Sequence, residues 1–131
     1  MIEAFYERIP NGFAPTDFVT GPWDPELSHA GPPAALLLNE LARSVEDMGI
    51  SRVSYEIPRG IPKVPYRTHV DVLRPGRRVK LLRADLRDLD GTLVMSATAW
   101  CIRETTGLPI SDPHPMDLPD VGVRPAADHV R

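Results

Sequence analysis

Residues 21–33 read GPWDPELSHAGPP, and three of them bring groups that can act on a carbonyl. Asp24 offers a carboxylate, His29 an imidazole, and Gly31 an N–H with no Cβ to block close approach. Pro32 and Pro33 donate nothing, so Gly31 N–H, with Ala30 N–H beside it, is the donor available where a helix is about to begin. The free N–H groups and dipole of a helix start stabilise an oxyanion developing on a polarised carbonyl. The pattern suits reaction of water at an activated acyl group, with His29 or Asp24 managing the water. The same side chains also suit a structural task, ordering the loop and capping the helix.

A second cluster lies at residues 74–78, RPGRR. Three guanidinium groups, Arg74, Arg77 and Arg78, around one turn can bind phosphates by bidentate hydrogen bonds, or they can form a solvated hairpin tip. Trp23 and Trp100 can line an apolar pocket or serve as plain core. The four histidines, at 29, 69, 114 and 129, have no metal-ligand spacing, so no metal site is expected. Cys101 sits in a strand pattern and reads as a buried thiol rather than a nucleophile. No Gly-rich phosphate loop and no serine nucleophile elbow occur.

These groups must be held by a scaffold of 131 residues, 42% hydrophobic and 25% charged, which is enough for one domain with its own core. A formal charge of −3 argues against general nucleic-acid binding. No apolar run approaches a membrane span. One cysteine and no leader pattern in residues 1–10 predict a cytoplasmic protein.

The periodicity changes along the chain. FYERI and FAPTDFV flank PNG, a turn signal between two short strands, with Pro15 restricting the second to an edge or bulged strand. Ala34, Leu37, Leu38, Leu41, Ala42, Val45 and Met48 then recur at helical spacing, which predicts one helix over residues 32–48. Pro32 is expected at its first position and Gly49 just past its end. Ala35 and Leu36 widen the apolar surface, so cover is expected on more than one side. RVSYEI, YRTHVDVL, VKLLRADLRDL and TLVMSATAWCIR follow as strands, with a type II turn expected at Pro75-Gly76 and a hairpin at Asp90-Gly91. The result is an α+β domain over residues 1–107, an antiparallel sheet curled around one helix. A Pro-rich tail or linker occupies residues 108–131, with five of the 15 prolines.

In this order GPWDPELSHAGPPAALL, RVSYEIPRGIPKVPYRTHVDVLRPGRRVKLL and DLDGTLVMSATAWCIR resemble the hotdog-fold acyl-CoA thioesterases, in particular the amino-terminal repeat of the double-hotdog, acyl-CoA thioesterase II type. The resemblance implies a hotdog fold and an acyl-CoA or similar acyl thioester as ligand, with coenzyme A as part of the substrate and no other cofactor. Asp24, His29, Gly31 and Asn39 are then the catalytic candidates, and Trp23, Arg74, Arg77 and Arg78 the substrate-binding ones. Asn39 enters because other thioesterase branches carry a helix carboxylate seven to nine residues after the glycine. Here those positions hold Leu38, assigned to the core stripe, Asn39, and Glu40, which has Arg43 three residues on as an ion-pair partner.

The chain departs from the family pattern at His29-Ala30-Gly31, where His-Gly-Gly is common, and at Arg59-Gly60, where Arg-Pro is common. Double-hotdog members usually keep an aspartate, a hydroxyl residue and a glutamine in a second repeat. Arg52, Leu73 and Ala99 stand at the matching places here. The resemblance therefore implies a homodimer, the second unit coming from another chain. Two further readings remain: a non-catalytic hotdog module that binds an acyl ligand or partner, as half of a double-hotdog enzyme, and an enoyl-thioester hydratase, whose Asp-x-x-x-x-His spacing Asp24 and His29 match.

Overall fold

A computed structural model describes residues 4–107. The tail expected over residues 108–131, with His114 and His129, lies outside the described residues. The chain opens with a hairpin, β1 (Tyr6–Ile9) and β2 (Gly12–Pro15), closed by Pro10-Asn11 as PNG predicts. Gly12 has φ +148°, and a Cβ there would run into the Tyr66 carbonyl. A single 3-10 turn, Asp17–Val19, leads into the short strand β3 (Leu27–Ser28) and then α1 (Gly31–Arg43). After it come β4 (Met48–Glu56), β5 (Ile61–Pro62), β6 (Tyr66–Arg74), β7 (Val79–Asp88) and β8 (Leu93–Arg103).

Six strands form one antiparallel sheet in the order β1-β2-β6-β7-β8-β4, and β3 pairs with β5 in a small second sheet. The α+β class and the wrapped helix are as expected: α1 packs against β6, β7, β8 and β4. Strand alternation supplies the inner face, with Leu82, Ala84 and Leu86 of β7 and Ala97, Ala99 and Cys101 of β8 buried against Leu37 and Leu41 of the helix. Small residues on β8 let the helix approach closely. β2 meets β6 only at Phe13↔Tyr66, so Pro15, paired with Tyr6 alone, costs the sheet little.

Four local expectations are corrected. The helix ends at Arg43 instead of 48: the Ser44 N–H caps it on the Leu41 and Ala42 carbonyls, and Met48 and Gly49 open β4. Gly31, not Pro32, is its first residue, Pro32 taking the second position. Its buried residues are Pro32, Pro33, Leu36, Leu37 and Leu41, while Leu38 is 37% exposed and Ala35 and Ala42 also face outward. The sheet covers one side of the helix, and among the described residues the other side, with Ala35, Leu38 and Ala42, stays exposed. Finally, Gly76 does not adopt the positive φ of a type II turn; it is needed because a Cβ would strike the Val79 carbonyl as the β6–β7 connection folds over. At the other hairpin Gly91 has φ +91° and Asp88 accepts the Asp90 and Thr92 N–H groups, as Asp-Gly predicts.

Candidate functional site

The loop from Asp17 to Ala30 is tied down before it delivers the helix. His29 N–H donates to the Val19 carbonyl at 3.0 Å, Gly21 N–H to Leu27 at 3.2 Å, and Lys63 Nζ to Thr20 Oγ1 at 2.8 Å. Leu27 and Ser28 are also laddered to Ile61 and Pro62, so the approach to the helix is braced by backbone on two sides.

At that end lies a cavity of about 180 Å³. Trp23, Asp24, His29 and Ala30 line it from the loop, and Ile57, Arg59 and Ile61 from the chain that follows β4. Three of the candidate residues are thus brought together: Asp24, His29 and Trp23. The Trp23 ring is 85% exposed and forms the rim rather than the floor.

The hydrogen bonds define what these groups can do. Gly31 N–H donates to His29 Nδ1 at 3.3 Å. A neutral imidazole that accepts at Nδ1 carries its proton on Nε2, which makes Nε2–H a donor. The Gly31 N–H is therefore engaged, and Ala30 N–H is the one at this helix start that has no acceptor among the described residues. Asp24 closes an Asx turn, its Oδ1 accepting Glu26 N–H at 2.8 Å, with Oδ2 still available. His29 also meets the edge of the Phe5 ring at 6.4 Å. Ser28 Oγ donates to the His29 carbonyl at 2.8 Å. Nearby, Tyr6 and Tyr66 pack edge to face, and burial pushes both phenols up, Tyr66 to about 12, so neither is a base near neutral pH.

The remaining candidates fall elsewhere. Asn39 lines a separate groove of about 320 Å³ with Phe5, Tyr6 and Pro32, some two turns, or about 12 Å, along the helix from Gly31. Glu40 meets Arg43 at 4.0 Å, the surface pairing expected, and accepts from Thr68 Oγ1 at 3.4 Å. Arg74, Arg77 and Arg78 line a cavity of about 560 Å³ with Val79 and Arg103. That cavity lies at the opposite end of the molecule: Met48, in register with Arg103, starts β4 where the helix has finished, and Tyr55 near its other end donates to Ala34 in the first turn of the helix. The 13-residue helix puts about 20 Å between the two ends. Trp100 lies on the outer face of the sheet, away from the helix, between Arg52 and Leu81 in register.

Sequence reasoning passed over two cations. Arg103 joins the arginine cluster through β8–β4 and β7–β8 pairing, and its N–H donates to the Arg78 carbonyl at 2.9 Å. Arg59 joins the His29 cavity through the β3–β5 ladder. Both contacts depend on distant pairing, and only strand register would have signalled them. Among the described residues no cluster of three or more His, Cys, Asp or Glu side chains is placed to hold a metal, and no helix is long and apolar enough to cross a membrane.

A family model for the acyl-CoA thioesterase N-terminal domain matches residues 19–102, more than half of the chain, including His29, the helix and nearly all of β4 to β8. Several solved structures share the fold. A phenylacetic acid degradation-related protein from Ralstonia eutropha is 24% identical with a TM-score of 0.58, covering 69% of this chain and 71% of that one. The E. coli PaaI protein from the phenylacetic acid degradation operon is 11% identical at a TM-score of 0.62, with 71% and 70% covered. A Bacillus halodurans protein crystallised with CoA is 15% identical at a TM-score of 0.58, with 69% and 67% covered. A search of the curated proteins found no match.

Proposed function

This chain belongs to the family of acyl-CoA thioesterase N-terminal domains, and from that premise we propose that it binds an acyl-CoA or similar acyl thioester at the His29 cavity and hydrolyses it. The observation that carries the reading is the meeting of Asp24, His29 and Ala30 in one apolar-walled cavity at the start of α1. His29 Nε2–H and Ala30 N–H polarise the thioester carbonyl, and the helix dipole supports the charge that develops on its oxygen. Asp24 Oδ2 orients and deprotonates the attacking water. Water adds to the carbonyl carbon, the C–S bond breaks, and the thiol leaves with a proton as the carboxylic acid forms. Gly31 acts by fixing the His29 ring: a Cβ there would sit 3.0 Å from Cε1 and 3.1 Å from Nδ1. Asn39 is left as a wall of the neighbouring groove, where it contacts the ligand only if the acyl group extends past Phe5.

The coenzyme portion of the substrate meets Arg74, Arg77 and Arg78 on a second copy of the chain. No single copy can bring them to His29 across the length of α1, whereas two copies joined through antiparallel β4 edges place the Met48 end of one beside the Glu56 end of the other. The unit is accordingly a homodimer of the acyl-group metabolism of the cytoplasm, where its lone buried thiol, Cys101, stays reduced. It needs no cofactor beyond the coenzyme that the substrate brings.

Steady-state hydrolysis of a series of acyl-CoA thioesters tests the proposal. Wild-type protein turns over at least one of them, and His29→Ala lowers kcat by about 10²–10³, the usual loss for one oxyanion donor. Equal turnover by wild type and His29→Ala would remove His29 from the chemistry. A second reading, a module that binds the thioester without hydrolysing it, has one observation in its favour, the engagement of Gly31 N–H by the His29 ring. Under it, a non-hydrolysable acyl-CoA analogue binds in calorimetry and no thioester is consumed.

A further inference from the structure

Arg59 is the one cation lining the His29 cavity, and it makes no ion pair with any described residue. Some arginines of the sheet are held, Arg83 and Arg87 both gripping Asp85 at 2.8 Å and Arg74 donating to the Val79 carbonyl at 3.1 Å, while Arg52, Arg67 and Arg103 share with Arg59 the lack of an ion pair among the described residues. What sets Arg59 apart is its place in the lining of the His29 cavity. Around Arg59 the walls are apolar, with Leu27, Ile57 and Ile61, and the other charged group of the lining, Asp24, has one oxygen held by Glu26 N–H. Gly60 brings this stretch hard against the loop, since a Cβ there would lie 3.2 Å from Leu27 Cδ1. A guanidinium beside an apolar pocket can read a planar oxyanion by a bidentate pair of hydrogen bonds.

Two anions accompany an acyl-CoA ligand: the coenzyme phosphates and any carboxylate carried by the acyl group. The pantetheine arm puts two amide-containing units between the thioester and the nearest phosphate. A phosphate therefore cannot share a cavity of about 180 Å³ with the reacting carbonyl. A carboxylate a few carbons from the carbonyl can. A cavity of about 150 Å³ accommodates a benzene ring, so this one has room for an acyl group of about six carbons. We infer that the His29 cavity is a subsite for compact acyl groups bearing a terminal carboxylate, with Arg59 as the residue that reads the carboxylate. The inference rests on the proposed thioester ligand and adds its class.

The test compares glutaryl-CoA with pentanoyl-CoA, equal in carbon number and differing in the terminal carboxylate, on wild type and Arg59→Gln. Wild type is expected to favour glutaryl-CoA in kcat/KM by about 10–100-fold, the range of a charge-assisted bidentate contact. Arg59→Gln loses that preference while its pentanoyl-CoA rate changes less than about threefold, and Arg59→Lys recovers part of it. Arg59 is exposed, and circular dichroism checks that the variant folds as wild type. Equal losses for both CoA thioesters, absent with the corresponding pantetheine thioesters, would assign Arg59 to a coenzyme phosphate and overturn the inference. So would unchanged selectivity. If wild type hydrolyses neither thioester, the proposed reaction fails on its own, and calorimetry with non-hydrolysable glutaryl and pentanoyl analogues still decides the subsite: tighter glutaryl binding abolished by Arg59→Gln supports it, equal affinities sink it.

Discussion

His29 shows how one hydrogen bond decides a residue's chemistry. The amino-acid type permits a base, an acid, a metal ligand or a cap; acceptance of Gly31 N–H at Nδ1 selects the Nε2–H tautomer, a donor toward whatever enters the cavity. Asp85 makes a parallel point away from the site. Burial alone would raise its carboxyl, but hydrogen bonds from Arg83 and Arg87, both 2.8 Å, outweigh that and hold it below the usual aspartate value. A carboxyl lowered on folding contributes stability that is present above its unfolded value, near 3.8, and is lost as pH falls through the still lower folded value. Asp85→Asn is therefore expected to cost about 1–2 kcal/mol at pH 7, with the two Arg partners discounted for their partial exposure. Urea unfolding of both proteins at pH 7 and below pH 3.5 checks this: the gap narrows in acid, and a gap that stays constant would mean the Arg83–Asp85–Arg87 bonds do not set it.

At the scale of elements, α1 carries the clearest test. Its apolar residues wrap most of the circumference, so periodicity alone admits more than one register, and both Leu37 and Leu38 fit a helical stripe. The sheet settles the choice by covering Leu36, Leu37 and Leu41 and leaving Leu38 37% exposed. Leu37→Ala is expected to destabilise by about 2–5 kcal/mol through lost packing and a cavity, and Leu38→Ala by about 0.5 kcal/mol or less in the isolated chain. Thermal unfolding of the two variants side by side measures it. Equal losses would place the buried stripe back where spacing first put it. The helix stops short of its apolar spacing for a related reason: Val45 and Met48 are buried as the pattern demands, yet Val45 lies in the segment after the helix and Met48 is the first residue of β4.

For the molecule as a whole, the separation of His29 from the arginine cluster by the length of α1 is the fact that makes one copy insufficient for the proposed site. Complementation in trans tests this. Mixtures of His29→Ala with Arg77→Glu/Arg78→Glu, each poorly active on acyl-CoA, form heterodimers in which one of the two sites has every wild-type group. Mixing, with subunit exchange allowed, should raise activity to about one quarter of wild type, because half of the dimers are mixed and half of their sites are intact. No recovery, with exchange verified by mass, would mean that each copy works with its own residues. Sedimentation should give a mass of two copies at assay concentration.

Much of this was legible in the residues before any coordinates. The period change at Gly31, the PNG and Asp-Gly turns and the alternating strands specify one helix and an antiparallel sheet, because these are local consequences of side-chain spacing and backbone freedom. The grouping of Asp24 with His29 followed from the same short stretch. What the sequence by itself could not contain is any fact that depends on residues far apart in the chain. Tertiary structure alone joined Arg59 to the His29 cavity, sent Trp100 to the outer face, turned Leu38 outward and put the arginines at the far end of the helix. Each of those depends on strand register and on which side of the helix the sheet covers. Pairing across dozens of residues sets both, and no local periodicity encodes it.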